Sequence, residues 1–170
     1  MSELPESMKE LFEQLQPMGP ISTLITRSLQ AILQPNEQVL LHYFQLQSSE
    51  SEGTFGSLDL HMLTSGRFIT VGFFPSYHHY DVKAVHKIAH FNMMNRFATG
   101  YEGEGDATTA EERGYNPLQT ELTVKFVDEH GQEVFTWSQE ANTTEDVRAL
   151  FKQLPVLSRI SGKPLATQQA

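Results

Sequence analysis

Residues 121–154 constrain the fold more than any other part of this chain, because they spell a β-hairpin that runs directly into one capped amphipathic helix. Leu122, Val124 and Phe126 alternate with Glu121, Thr123 and Lys125; Asp128-Glu129-His130-Gly131 then turns the chain, and the return segment carries Phe135 and Trp137. A period of two bounded by turn residues predicts two antiparallel strands over 119–127 and 133–138. After Asn142-Thr143-Thr144, the i, i+3, i+4, i+7 spacing of Val147, Leu150, Phe151 and Leu154 puts one apolar stripe on a helix over 143–154, with Pro155 expected to stop it. Asn142 with Glu145, or Thr143 with Asp146, supplies its first-turn cap. A last strand pair that delivers a single plug helix marks a fold, not a chemistry.

The rest of the chain extends the strand count. Val39 opens an apolar run to 47, and Leu58, Leu60 and Met62 alternate with Asp59 and His61. Thr64-Ser65-Gly66 turns into an apolar run over 67–74, which Pro75-Ser76 closes. Residues 77–80 read as a short fourth strand followed by a tight turn through 81–84, and 85–94 as a fifth strand. Two amphipathic helices precede the strands. Leu4, Met8, Leu11, Phe12 and Leu15 share one face; Pro17-Met18-Gly19-Pro20 breaks it, and Ile21, Leu24, Ile25, Leu29, Ile32 and Leu33 form a second stripe that ends before Pro35. Residues 96–118, rich in Gly, Glu and Asp, are expected to form a mobile acidic loop because they have little apolar surface to offset ordering entropy. Val156, Leu157 and Ile160 are expected to dock the first part of the 156–170 tail, with its polar end frayed.

Charge and composition narrow the function classes. With 21 acidic against 12 basic residues the formal charge is −9, and no Lys or Arg occurs from Ser28 to Gly66. Nucleic acid and anionic lipid surfaces both repel such a chain, so no nucleic-acid partner is expected. The chain has no Cys, which excludes a thiol nucleophile and a Cys-type zinc site. Residues 1–16 are acidic and amphipathic, unlike a secretory signal, and no apolar run approaches the ~20 residues of a membrane span, so a cytoplasmic location is expected.

Seven predicted strands followed by one helix resemble the pleckstrin-homology-like superfold. So does the local wording, Gln34-Pro35-Asn36-Glu37-Gln38-Val39-Leu40 before the first strand and Leu63-Thr64-Ser65-Gly66-Arg67-Phe68-Ile69-Thr70-Val71 at the second hairpin, which is similar to small bacterial pleckstrin-homology-like and GRAM-like domains. The resemblance implies a mainly β, α+β fold: a half-open barrel of about seven antiparallel strands with a C-terminal plug helix. On this reading, residues 1–34 are an N-terminal helical extension, 35–155 the pleckstrin-homology-like domain and 156–170 a tail. Family members that bind phosphoinositides are similar in placing several Lys or Arg around the first two strands, where this chain has Glu50, Glu52 and Asp59. The resemblance therefore disfavours phosphoinositide and implies protein contacts or oligomerisation.

Residues with catalytic or metal-binding potential give no recognisable context. His86 and His90 are four apart on an expected strand, roughly 13 Å, too far to chelate one ion together. Glu102-Gly103-Glu104-Gly105-Asp106 opens like a calcium loop, but Ala107 and Arg113 stand where a Gly and a bidentate Glu belong. No G-x-S-x-G, G-x-x-x-x-G-K or G-x-G-x-x-G is present. Neither catalytic residues, a metal nor a cofactor are assigned. The local feature that points to function is the aromatic and histidine cluster Phe73, Phe74, Tyr77, His78, His79 and Tyr80, read as a partner-binding patch. The expectation is a non-catalytic interaction module that binds a protein partner or self-associates, through helix 20–33 or the 73–80 rim. The alternatives are a small-molecule or lipid-tail carrier, and an α+β enzyme of the cone-shaped kind, for which a pocket combining His61, His86 or His90 with a carboxylate would speak.

Overall fold

The Pro-Met-Gly-Pro break and the turn chemistry of the strands translate directly into backbone structure. The computed structural model describes residues 8–35, 37–49, 55–96 and 119–168. The expectations for 97–118, including the acidic loop and its calcium-like opening, and those for Leu4, Glu50 and Glu52, lie outside the described residues. The chain is mainly antiparallel β with a few helices, and divides into two compact units, residues 1–84 with 165–170, and 85–164.

The first unit begins with α1 (Lys9–Leu15), a 3-10 turn (Gln16–Met18) and α2 (Ile21–Ile32). Gly19 takes φ 87°, a conformation its missing Cβ makes cheap, and its carbonyl accepts bonds from the Ser22 N–H and Oγ at the start of α2. Four strands follow, β1 (Val39–Ser48), β2 (Phe55–Thr64), β3 (Arg67–Phe74) and β4 (Tyr77–Ala84), paired antiparallel in the order β1-β2-β3-β4. Their alternation sorts the side chains. Leu58, Leu60, Met62, Ile69, Val71 and Phe73 point to one face and join Met8, Leu11, Leu15, Ile25, Leu29 and Leu33 of the helical segment in one buried cluster. Each such side chain contributes at most about 1.5–3 kcal/mol of burial. The helical segment is thus one layer of this unit's core. The stripe of α2 is consumed in it, apart from exposed Leu24.

One polar clamp fixes that layer to the sheet. Arg67, the first residue of β3, donates through Nε to Glu37 Oε2 at 2.6 Å and through Nη2 to Glu37 Oε1 at 2.5 Å, while Nη2 also reaches the Ile32 carbonyl at 2.8 Å. That carbonyl lies at the C-terminal end of α2, where cations are favoured. Thr64 closes the preceding turn: its Oγ1 accepts from the Arg67 and Gly66 N–H groups and donates to the Arg67 carbonyl. The Thr-Ser-Gly-Arg wording of the hairpin is therefore a turn lock followed by a clamp.

The second unit holds β5 (Lys87–Arg96), β6 (Gln119–Val127) and β7 (Glu133–Ala141) in the order β5-β6-β7, then α3 (Thr144–Phe151) and α4 (Leu154–Ile160). Asp128 makes the β6–β7 turn, its Oδ1 accepting from the N–H groups of His130 (2.8 Å) and Gln132 (3.0 Å), with Gly131 at φ 78°. Those bonds, the one from Gln132 foremost, hold its carboxyl below the usual carboxylate range. Thr143 Oγ1 accepts from the Asp146 N–H and caps α3, which packs on β6 and β7 with Val147 and Leu150 buried.

Four expectations change. β4 does not end at Tyr80 but runs to Ala84, because Asp81 and Lys83 alternate outward along a strand and form an ion pair there. The fifth strand, expected over 85–94, runs Lys87–Arg96 and carries a bulge between Ile88 and His90, so that Ile88 is buried before it and Phe91 and Met93 turn inward after it. Pro155 does not stop a helix. It sits in the first turn of α4, where its missing N–H is no loss, and the helix expected over 143–154 ends earlier, at Phe151. The docked part of the tail is itself helical, with Leu157 and Ile160 buried and the Gly162 N–H bonded to the Ile88 carbonyl. Neither sheet closes into a barrel.

Because the Glu37 side chain is only 5% exposed, removing its cation leaves a buried charge uncompensated. Arg67→Ala is expected to destabilise the protein by about 3 kcal/mol, the low end for a buried pair because Arg67 keeps 21% of its side chain in water. Arg67→Lys recovers only part of this, lacking the planar fork. Urea denaturation of the three proteins measures both.

Candidate functional site

The segment picked out by sequence, 73–80, is the β3–β4 hairpin, and the structure distributes its six residues between two faces. Phe73 pairs with His78 and Phe74 with Tyr77. Phe73 is fully buried in the core of the first unit, so it is an anchor and not a contact residue. The His78 ring stands edge-on to it at 4.8 Å and the Tyr80 ring at 6.0 Å, both T-shaped. On the other face the Phe74 ring folds over Gly72, so closely that a Cβ there would lie 2.6 Å from it, and stacks on Tyr77 at 4.8 Å. His79 lies opposite Gly72 on that same face.

These contacts present the outer strand to solvent in a fixed arrangement. Tyr77, His78, His79 and Tyr80 are all exposed. Six large hydrophobic side chains are exposed among the described residues, and three of them, Tyr77 (58%), Tyr80 (44%) and Val82 (44%), lie on this one strand. Val82 was not among the expected patch residues. The signal was present, since His78, Tyr80 and Val82 continue one alternation, but Asp81 and Lys83 between them imitate a turn. β4 is also an edge: among the described residues it is ladder-paired with β3 alone. Its pairing with β3 is regular from end to end, whereas β1, at the opposite edge of the sheet, is irregular between Val39 and Leu41 and between Gln47 and Ser48.

The histidines are placed separately. His86 lies just before β5 and is half-buried, His90 is exposed after the bulge, and among the described residues no three His, Cys, Asp or Glu side chains converge to hold a metal ion. His61 is different. It lies on the sheet face opposite the helices, largely buried beside Tyr43 and Phe68, with Nδ1 3.4 Å from Thr70 Oγ1 and Nε2 3.8 Å from Asp59 Oδ1. A Thr-His-Asp set is suggestive on paper, but 3.8 Å is an ion-pair separation and not the hydrogen bond that orients a catalytic base. Burial pushes the His61 imidazole below its ordinary value of 6.5, opposed by the Asp59 charge.

No protein-family model matches this chain, no curated protein matches it, and no solved structure matches it.

His61 gives the site region a pH dependence of defined sign. Its folded value lies below the unfolded one, so the unfolded chain binds the proton first; stability is fully present above about pH 6.5 and is lost as pH falls from there through the folded value. Urea midpoints measured between pH 8 and pH 5 are expected to fall below pH 6.5, and to fall less in His61→Gln. Equal slopes in the two proteins would exclude His61 as the titrating group.

Proposed function

We propose that this chain is a pleckstrin-homology-like interaction module, non-catalytic, that contacts another polypeptide along strand β4. The observation that carries the contact is the concentration of exposed apolar side chains on a regular sheet edge, held by ring contacts to buried Phe73. Edge strands present unpaired N–H and C=O groups, and alternate side chains beside them give a second layer of recognition. Aromatic side chains suit such a surface because they supply contact area at low conformational cost. What supports the fold assignment is the order of elements: four antiparallel strands, three antiparallel strands, then a helix packed on the last two.

The same reading gives phosphoinositides no role. Among the residues of β1 and β2 there is no Lys or Arg, and Asp59 lies in β2 with its carboxylate 43% exposed. A headgroup bearing several phosphates requires the opposite charge.

Two measurements follow. With p-benzoylphenylalanine placed at Tyr77 of the full chain and irradiated in the cells that express it, a discrete polypeptide adduct is expected; the same probe at exposed Val134 on β7 is expected to give none. Adducts absent at both positions, or equal at both, overturn the β4 assignment. In co-sedimentation with phosphatidylcholine vesicles carrying phosphatidylinositol 4,5-bisphosphate, the protein is expected to stay in the supernatant even at low salt, and salt-sensitive binding would reverse the charge argument.

A further inference from the structure

We propose that the polypeptide on the β4 edge is a second copy of this chain, its β4 running antiparallel about a two-fold axis centred on Tyr80, so that two four-stranded sheets continue as one of eight. This rests on the reading of β4 as the contact strand. It adds the partner and the register.

Symmetry limits the registers. A two-fold axis perpendicular to the sheet keeps each face on its own side, and residues directly opposite in an antiparallel pair point to the same face. The axis must therefore pass through a residue, not between two. Four centres keep most of the strand paired; of these, an axis at Val82 sets Asp81 against Lys83 but leaves Tyr77, His78 and His79 outside the pairing. An axis at Asp81 sets Asp81 against Asp81, two like charges face to face, and His79 against Lys83. An axis at His79 sets Tyr77 against Asp81 and leaves Val82 and Lys83 outside the pairing. An axis at Tyr80 sets His79 of each copy against Asp81 of the other and Tyr77 against Lys83, all on one face. On the opposite face it sets Tyr80 against Tyr80 and His78 against Val82.

Only the Tyr80 register pairs seven of the eight strand residues with no like charges opposed. Asp81 then keeps Lys83 of its own strand, to which it is already ion-paired, and meets the imidazole of His79, a hydrogen-bonding partner, across the axis. Lys83 comes over the ring of Tyr77, a cation–π arrangement. The three exposed apolar side chains of β4 all gain cross-strand neighbours. Charge complementarity is decisive here because each copy carries a formal charge of −9. Copies repel at long range, so they associate only where no like charges are opposed and the backbone pairs. β4 offers both, whereas the pairing of β1, at the other edge, is irregular at both ends.

The chain has no Cys, so one introduced thiol reports the register without interference. In Tyr80→Cys the two copies of residue 80 face each other with Cα atoms roughly 4.5–5.5 Å apart, within disulfide reach. In Val82→Cys they are about 13 Å apart. Mild oxidation of the full chain is expected to give a disulfide dimer with Tyr80→Cys and monomer with Val82→Cys. Independently, sedimentation of the Cys-free chain is expected to show a concentration-dependent dimer. His79→Asp, which sets carboxylate against carboxylate twice, raises its Kd about tenfold, and His79→Asp with Asp81→His restores it. A chain that stays monomeric at high micromolar concentration, cross-linking at position 82 as fast as at 80, or no rescue by the double exchange overturns the two-fold. If the Tyr77 probe then still yields an adduct with a different polypeptide, the β4 contact stands without it; if it yields no adduct, the contact itself is wrong.

Discussion

The guanidinium of Arg67 is the point on which the first unit depends. It joins three pieces of chain at one point: the end of α2 through the Ile32 carbonyl, the connecting segment through Glu37, and the β2–β3 hairpin through its own backbone, which Thr64 holds. Hydrophobic burial alone allows the helical layer to slide on a sheet of Leu, Ile and Val, since that attraction has no direction. A bidentate, charge-assisted pair has direction, and here it sets where α2 ends relative to the first turn of β3. The hydrogen bond from the Ser65 N–H to the Gln38 carbonyl fastens the same turn to the entry of β1. The hydrogen bonds to Glu37 in turn hold the guanidinium above its ordinary value.

Sequence reading reached most of the fold because local and tertiary signals agree in most of it. The strand at 67–74 is an apolar run and that at 119–127 alternates, and Asp128 and Gly131 satisfy the chemistry of the turn they make. It stopped short where one signal has two physical meanings. Pro155 ends one helix in a pattern and starts another in the structure, because the ring that cannot continue a helix is well suited to the first turn of the next. Asp81 and Lys83 read as a turn by composition, yet an edge strand tolerates outward charges at no cost. The extra residue at the β5 bulge leaves no mark in composition. It shifts the inward side chains from Ile88 to Phe91 and Met93, and only the pairing with β6 reveals it.

The same asymmetry explains why the candidate site was legible only in part. Phe73, Phe74, Tyr77, His78, His79 and Tyr80 are contiguous in sequence, so a patch could be named, but contiguity hides the alternation that sends Phe73 into the core and Tyr80 to its surface. The buried and exposed members have different tasks. Phe73 contributes no contact area to a partner, and instead limits the motion of His78 and Tyr80 above it. Phe74 does the same for Tyr77, and the absent side chain at Gly72 is what lets its ring lie flat.

Rigidity of this kind bears on whether an exposed strand is a hazard or a contact. An edge that is merely unprotected would tempt any passing strand, and its side chains would lose rotamer freedom on pairing, each at a cost of about 0.5–1.5 kcal/mol. On β4 part of that cost is already met during folding, because the core holds Phe73 and the Phe73 ring holds its neighbours. The charges then act as a filter. Asp81 and Lys83 oppose a strand that brings the wrong sign or the wrong register, while His79 and Tyr77 receive one that brings the right sign. A strand protected only against aggregation needs charge alone; the combination on β4 of packed aromatic rings with charges of both signs is what supports the proposal that it selects a partner.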